Sequence, residues 1–331
     1  MSATTTSTPL SRGVDLIGRT VLTKTFGPLL VLFGFCAIFG FGTRTFWAAG
    51  NLAIIAQQSV ISGTLAIGQT VIMLTAGIDL ANGSIAVLGT IIAARLVSEH
   101  YPALPCLLLA IAACTAVGSV SGTLVSRLRL PPFIVTLGML GIVTAAARLY
   151  SRGESYPVTD NLLGWTGNGA TIGAATITNG ILVMLALYAA VWYLLTQTAW
   201  GRHVYAVGNN PEAARLVGID VRRNLLSVYI IAGFLYGIAA WLALGRIPNA
   251  DPNALQSANL DTITAVVIGG TSLFGGRGSV IGTLVGTLIV AVLRNGLTLM
   301  EIDPLWQDMV TGVLVITAVA TDQLSRQRRL S

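Results

Sequence analysis

The sequence predicts an all-α, polytopic membrane protein of about ten transmembrane helices. Three observations predict it. Of 331 residues, 54% are hydrophobic and 10% charged, with a mean hydropathy of +0.77. A soluble domain has about a quarter of its residues charged, so too little polar surface exists to cover a water-exposed globule of this size. The apolar residues also gather in runs near the length, about 20 residues, that carries a helix across a bilayer. Finally, the 37 glycines suit helices that approach closely in lipid.

The chain opens with a polar, basic stretch, "MSATTTSTPLSRGVDLIGRTVLTK". No small-residue cleavage site follows the first apolar run, so that run reads as a retained span rather than a removed signal peptide. Predicted spans follow at 26–43, 52–76, 84–97, 104–126, 132–149, 180–196, 225–245, 263–272, 279–295 and 304–321. The third and eighth are short and suit tilted, broken or partly re-entrant segments. Eight or nine full crossings stay open on these residues.

Cytoplasmic loops of membrane proteins are enriched in Lys and Arg. Placing the N-terminus inside puts most of the 19 basic residues inside, among them Arg12, Lys24, Arg127, Arg129, Arg202, Arg215, Arg222, Arg223 and Arg277. Arg44, Arg95, Arg148, Arg152, Arg246 and Arg294 fall at the outer side. Both termini are then cytoplasmic, which requires an even count of crossings. The expected organisation is a cytoplasmic tail (1–25), one membrane domain (26–322) and a cytoplasmic tail (323–331). Of the two long connections, 150–179 lies outside and 197–224 inside.

The net charge of +6 follows from this loop bias, and no nucleic-acid partner is expected. Cys36, Cys106 and Cys114 sit in apolar runs and read as small buried hydrophobes. His100 and His203 lie far apart. No metal or cofactor is expected, and no nucleophile elbow, paired carboxylates or HExxH points to an enzyme.

The inner connection holds a polar island, "YAVGNNPEAARLVGID", Tyr205 to Asp220. Asn210 suits a helix N-cap and Pro211 the first helical position. Glu212 and Arg215 complement the two ends of the helix dipole, and Gly218 suits a left-handed C-cap. The expected helix, Pro211 to Val217, is too short to stand alone in water. It either rests on its own membrane domain or docks a partner.

"GGTSLFGGRGS", Gly269 to Ser279, has the glycine spacing of a phosphate loop. Gly276 stands where the lysine should be, and no strand precedes it, so it reads as a tight turn. If ATP drives this protein, another chain binds it. In "LTAGIDLANGS", Asp79 is either a functional acid at membrane depth or the cap of a cytoplasmic turn flanked by Gly77 and Gly83. Gln57, Gln58, Gln69 and Asn295 either hold helices together or line a solute path. Gly282 and Gly286 form a close-packing pair. Asp308 is the main acidic candidate inside the spans, and this scarcity argues against ion-coupled transport.

"GIDLANGS", "GRHVYAVGNNPEAARLVGID" and "LDTITAVVIGGTSLFGGRGSVIGTLVGTLIV" together resemble the permease subunits of bacterial ATP-binding-cassette monosaccharide importers, the group of ribose, xylose and galactose permeases. The likeness runs from about Phe46 to Asp322. It implies a fold like that of the vitamin-B12 importer (type II), with two inverted halves. It also implies a homodimer or heterodimer in the inner membrane, ATPase subunits on the cytoplasmic face and a periplasmic sugar-binding protein outside. The coupling helix would then be Asn210, Pro211, Glu212, Ala213, Ala214, Arg215, Leu216 and Gly218. A substrate path would draw on Gln57, Gln58 and Asn295. The sequence departs from the group's pattern at Gln69, Ala81, Asn82, Ala145–Arg148 and Arg294, all in or near the membrane, which bears on the identity of the sugar more than on the machine. The rival reading is a self-sufficient carrier or facilitator for a small polar solute.

Overall fold

The computed structural model describes residues 9–330, with side chains from 26 to 320 and at 323. In chain order the helices are α1 (Pro9–Gly42), α2 (Ala49–Leu74), α3 (Asn82–Ser98), α4 (Ala103–Ser126), α5 (Pro132–Ser151), α6 (Asn161–Gly164), α7 (Asn179–Gln197), α8 (Ala199–Asn209), α9 (Pro211–Leu216), α10 (Val221–Arg246), α11 (Ala258–Ile268), α12 (Val280–Leu299) and α13 (Pro304–Leu330). Among the described residues, strands form two small antiparallel ribbons. One pairs β1 (Tyr156–Pro157) with β4 (Asn249–Ala250), and the other pairs β2 (Gly169–Ile172) with β3 (Ala175–Thr178).

Each of the ten predicted runs contains a helix, although 263–272 extends past the end of α11 at Ile268 and 52–76 past the end of α2 at Leu74. Six are long and apolar enough to cross a bilayer: α2, α4, α5, α7, α10 and α12. Four apolar stretches are shorter: Phe26–Gly42, Asn82–Ser98, Ala258–Ile268 and Pro304–Ala320. Helix continues past the expected membrane boundaries at both ends. α1 begins at Pro9, inside the predicted tail 1–25, and α13 runs to Leu330 through the predicted tail 323–331. Apolar runs mark bilayer thickness, whereas helical hydrogen bonding can continue beyond it. Residues 1–8 of the predicted tail lie outside the described residues.

The outer surface departs from that of a soluble protein. Phe33, Phe41, Leu108, Ile134, Ile142 and Leu149 face outward, where lipid takes the place of water. The interior holds many polar side chains. Thr70 of α2 and Thr283 of α12 share a hydrogen bond of 2.7 Å, and Tyr188 of α7 donates to the Gly63 carbonyl at 3.1 Å. In the most apolar window of α12, 78% of residues are buried, against 28% for α4, α5 and α7. α12 is therefore central, packed by α1, α2 and α11.

Glycine sets the closest contacts. On α4, Gly118 and Gly122 meet the Tyr229 backbone and side chain, and on α10, Gly233 and Gly237 meet Cys114 and Ile111. A side chain at any of these four positions would overlap the facing helix. The predicted pair on α12 acts likewise: Gly282 abuts the Gly269 carbonyl and Gly286 the Ala265 carbonyl of α11.

α3 and α11 are half-helices whose N-termini meet inside the bundle. Asn82 Nδ2 donates to Thr262 Oγ1 at 2.8 Å, and Asn259 Nδ2 to the Leu80 carbonyl at 3.4 Å. Gly83 lies against the Leu255 carbonyl. These are the third and eighth predicted runs, and their shortness reflects helices broken inside the bundle.

Gly286→Leu should destabilise the purified protein by about 1–3 kcal/mol or more, because the Ala265 carbonyl cannot retreat. Gly34→Leu, with nothing within 4 Å, should change stability by less than about 0.5 kcal/mol. Thermal unfolding in one detergent checks both.

Candidate functional site

The polar island is a capped helix on a rigid mount. Asn210 is extended (φ −158°), and its Oδ1 accepts from the Glu212 and Ala213 amides, each at 3.0 Å. α9 ends at Leu216, one residue before the expected end, because Val217 has already left helical geometry. Gly218 is left-handed (φ 86°). The Ile219 amide bonds the Ala214 carbonyl at 3.0 Å and the Gly218 amide bonds that of Arg215 at 3.1 Å. This pair of bonds is a Schellman cap. Asp220 then caps α10 by accepting from the Arg223 amide at 3.1 Å.

Ala214 is the buried residue of α9. It packs with Val207 of α8 and Val221 of α10, joined by Ile219 and Leu225. The remaining α9 residues are exposed. Leu216 is 89% and Val217 76% exposed, beside the charged Glu212 and Arg215.

α8 went unpredicted as a separate helix. Its N-cap, Thr198, accepts from the Gly201 amide at 3.2 Å. Trp200 Nε1 donates to Ser227 Oγ of α10 at 2.7 Å, and the Tyr205 hydroxyl to the Gly278 carbonyl at 3.0 Å. That carbonyl belongs to the glycine turn 269–279, whose Gly275 and Gly276 have φ of 79° and 70°. The Gly276 amide donates to the Leu74 carbonyl at the end of α2, at 2.9 Å. Gly208 sits between Leu74 and Gly276 with no room for a side chain. The polar island, the glycine turn and the start of "LTAGIDLANGS" therefore meet at one end of the bundle.

Asp79 is capped as a turn residue would be, its Oδ1 accepting from the Ala81 amide at 2.8 Å. The expectation of a cytoplasmic surface turn is corrected, however: Asp79 is buried, because the break between α2 and α3 runs back into the bundle. Gln69 donates to the Asp79 carbonyl at 3.0 Å and accepts from its amide at 3.3 Å.

The residues considered for a solute path separate. Gln57 Nε2 donates to the Thr176 carbonyl at 2.8 Å and ties α2 to the β2–β3 ribbon. Asn295 and Asn51 exchange amide hydrogen bonds of 3.0 Å, buried between α12 and α2. Gln57 thus has the geometry of a tie to the ribbon and Asn295 that of a tie between helices. Gln58 lines a cavity of about 290 Å³ at the end of the bundle away from α9, together with Arg246, Asp261, Arg294, Thr298 and Gln307. Arg294 Nη2 lies 2.7 Å from Asp261 Oδ1 and 2.9 Å from Asp308 Oδ1. Pairing of Arg294 with Asp261 was not foreseen; the signal was an arginine inside an apolar run, which needs a carboxylate nearby. A larger cavity of about 720 Å³, mostly apolar, lies between α3, α5 and residues 252–259.

Apolar helices, two of them broken inside the bundle, with large apolar side chains on the outer surface and internal cavities, are the architecture of an integral membrane permease. Residues 51–319 match the family described as the branched-chain amino acid transport system / permease component, and the chain belongs to that family. It is 44% identical to the fructose import permease of Rhizobium meliloti, over 91% of this chain and 85% of that one. It is 36% identical to the ribose import permease of Escherichia coli K12, over 92% and 97%. It is 32% identical to the galactose/methyl galactoside import permease of the same strain, over 92% and 96%.

Asn295→Leu leaves the buried Asn51 Oδ1 without its donor, while Asn51 Nδ2 keeps the Phe46 carbonyl at 2.9 Å, and should destabilise the protein by about 1–3 kcal/mol. Asn51→Leu with Asn295→Leu should cost less than the sum of the two single changes, as expected of a coupled pair. A thermal-unfolding double-mutant cycle measures this.

Proposed function

We propose that this chain is the membrane subunit of an ATP-driven importer for a monosaccharide, with ATP hydrolysed on a partner subunit docked at α9. The observation that carries the docking assignment is the surface of α9. It offers Leu216 and Val217 outward at a polar end of the molecule, on a helix held at both termini. Relatives over nearly the whole chain named for fructose, ribose and galactose import support a sugar as cargo. In this reading α9 faces the cytoplasm and both termini lie there, in the bacterial inner membrane. A membrane domain spanning 26–322 pairs with a second permease and receives sugar from a periplasmic binding protein.

The mount explains how a push at α9 would travel. Ala214 and Ile219 fix α9 to α8 and α10. Trp200 links α8 to α10, while Tyr205 and Gly276 carry the contact into the glycine turn and α2. Closure of two ATPases favours one arrangement of these helices over another, and that difference in affinity is the whole driving force. The permease then needs only weak contacts with sugar.

Glu212→Arg with Ala213→Asp reverses the charge pattern of α9 without touching its cap or buried Ala214. ATPase affinity and ATP-driven uptake in proteoliposomes should each fall about tenfold or more, equivalent to about 1.4 kcal/mol. Intact uptake by that variant would remove the docking assignment. Ion-driven uptake by the chain alone would instead favour the self-sufficient carrier.

A further inference from the structure

Ionisable groups inside a membrane bundle are expensive and are kept where they meet a solute or one another. The 290 Å³ cavity concentrates them: Arg246 of α10, Asp261 of α11 and Arg294 of α12, beside the neutral amide of Gln58 of α2. Asp308 of α13 braces Arg294 from outside the cavity lining. Arg246 and Arg294 balance Asp261 and Asp308, so the group carries no net charge to attract an ion.

The donors and acceptors left over are specific. Arg294 binds Asp261 through Nε and Nη2, and Asp261 answers with Oδ1 alone. Arg294 Nη2 also reaches Ser257 Oγ at 3.5 Å and Asp308 Oδ1 at 2.9 Å, so among the described residues Arg294 Nη1 is left as a donor and Asp261 Oδ2 as an acceptor. Each hydroxyl of a vicinal diol both donates and accepts, so adjacent guanidinium and carboxylate groups match it. Gln58 Oε1 is buried and has no hydrogen-bond partner, an unmet acceptor beside the same space. Ile61 and Val290 supply an apolar wall suited to the C–H face of a ring. The volume sits at the lower edge of the roughly 300–1,000 Å³ typical of ligand pockets, which suits a solute of sugar size.

We propose that this cavity is a transit site for a neutral polyhydroxylated solute. Asp261 and Arg294 read a pair of adjacent hydroxyls, and Gln58 accepts from a third. This rests on the sugar-import reading above. It adds the residues that meet the sugar after release from the binding protein, and it makes them specificity-determining rather than structural.

The test uses the whole complex, with its ATPase and binding protein, in proteoliposomes. Radiolabelled D-fructose, D-ribose, D-galactose and L-leucine are the probes. Gln58→Met keeps the length of the side chain and removes its amide. It should lower uptake of the accepted sugar about tenfold, as expected when a hydroxyl loses its partner. Gln58→Glu keeps an acceptor and should retain uptake within about threefold. Arg294→Lys keeps the charge but loses the fork and should also lower uptake about tenfold. ATPase stimulation by loaded binding protein and thermal stability should hold in all three. Normal sugar uptake by Gln58→Met overturns the transit site and leaves the import reading standing. So does a loss of uptake that tracks a fall in melting temperature or assembly, which marks a purely structural cluster. Uptake of leucine alone, or of none of the probes, by the unaltered complex overturns the import reading and the site with it.

Discussion

A helix broken inside a bilayer exposes backbone amides and carbonyls that no water can satisfy, and the rest of this structure is arranged around meeting that demand. The break between α2 and α3 shows the arrangement. The Gly77 amide returns to the Ile72 carbonyl, and Thr136 of α5 donates to the Ile78 carbonyl. Gln69 serves both sides of Asp79, Asn259 of α11 serves Leu80, and the Asp79 carboxylate takes the Ala81 amide. Apart from the Asp79 carboxylate, these partners come from α2 itself or from α5 and α11. The segment can be irregular only because α2, α5 and α11 surround it.

The same demand explains the small residues. Side chains as short as Asn82 and Thr262 can bond across helices only if the backbones come close, and Gly83, set against the Leu255 carbonyl and Ala258, permits that approach of α3 to α11, as other glycines do at the α4–α10 and α11–α12 seams. Close seams also leave little freedom for one helix to slide past another. A displacement at α9 would therefore be passed on as movement of packed units through α8, α10 and the glycine turn. The polar cavity lies at the opposite end of two of the elements joined to this mount: α10 runs from α9 toward Arg246, and α12 from the glycine turn toward Arg294.

Much of the candidate site was legible locally. Asn210, Pro211 and Gly218 act within a few residues of themselves, so their caps could be read from the chain and were found almost to the residue. The glycine turn was also local, since left-handed backbone at Gly275 and Gly276 needs no distant partner. The roles of Gln57, Gln58 and Asn295 were not separable in the sequence. All three are amides in apolar runs, and only the neighbour brought in from elsewhere tells a helix tie from a cavity wall. Asp79 shows the same limit: its capping bond is two residues long, but its burial depends on where α10 and α5 pack.

The sequence by itself determined the class of molecule, the position of its apolar segments, the two shortest of them and the capped helix beginning at Pro211, to within one residue of its end, because these depend on composition and on hydrogen bonds between near neighbours. The tertiary structure alone decided that the short segments meet end to end, that three separate motifs form one mount, and that Arg294 lies against Asp261. Those outcomes are contacts between residues far apart in the chain, and packing geometry selects them.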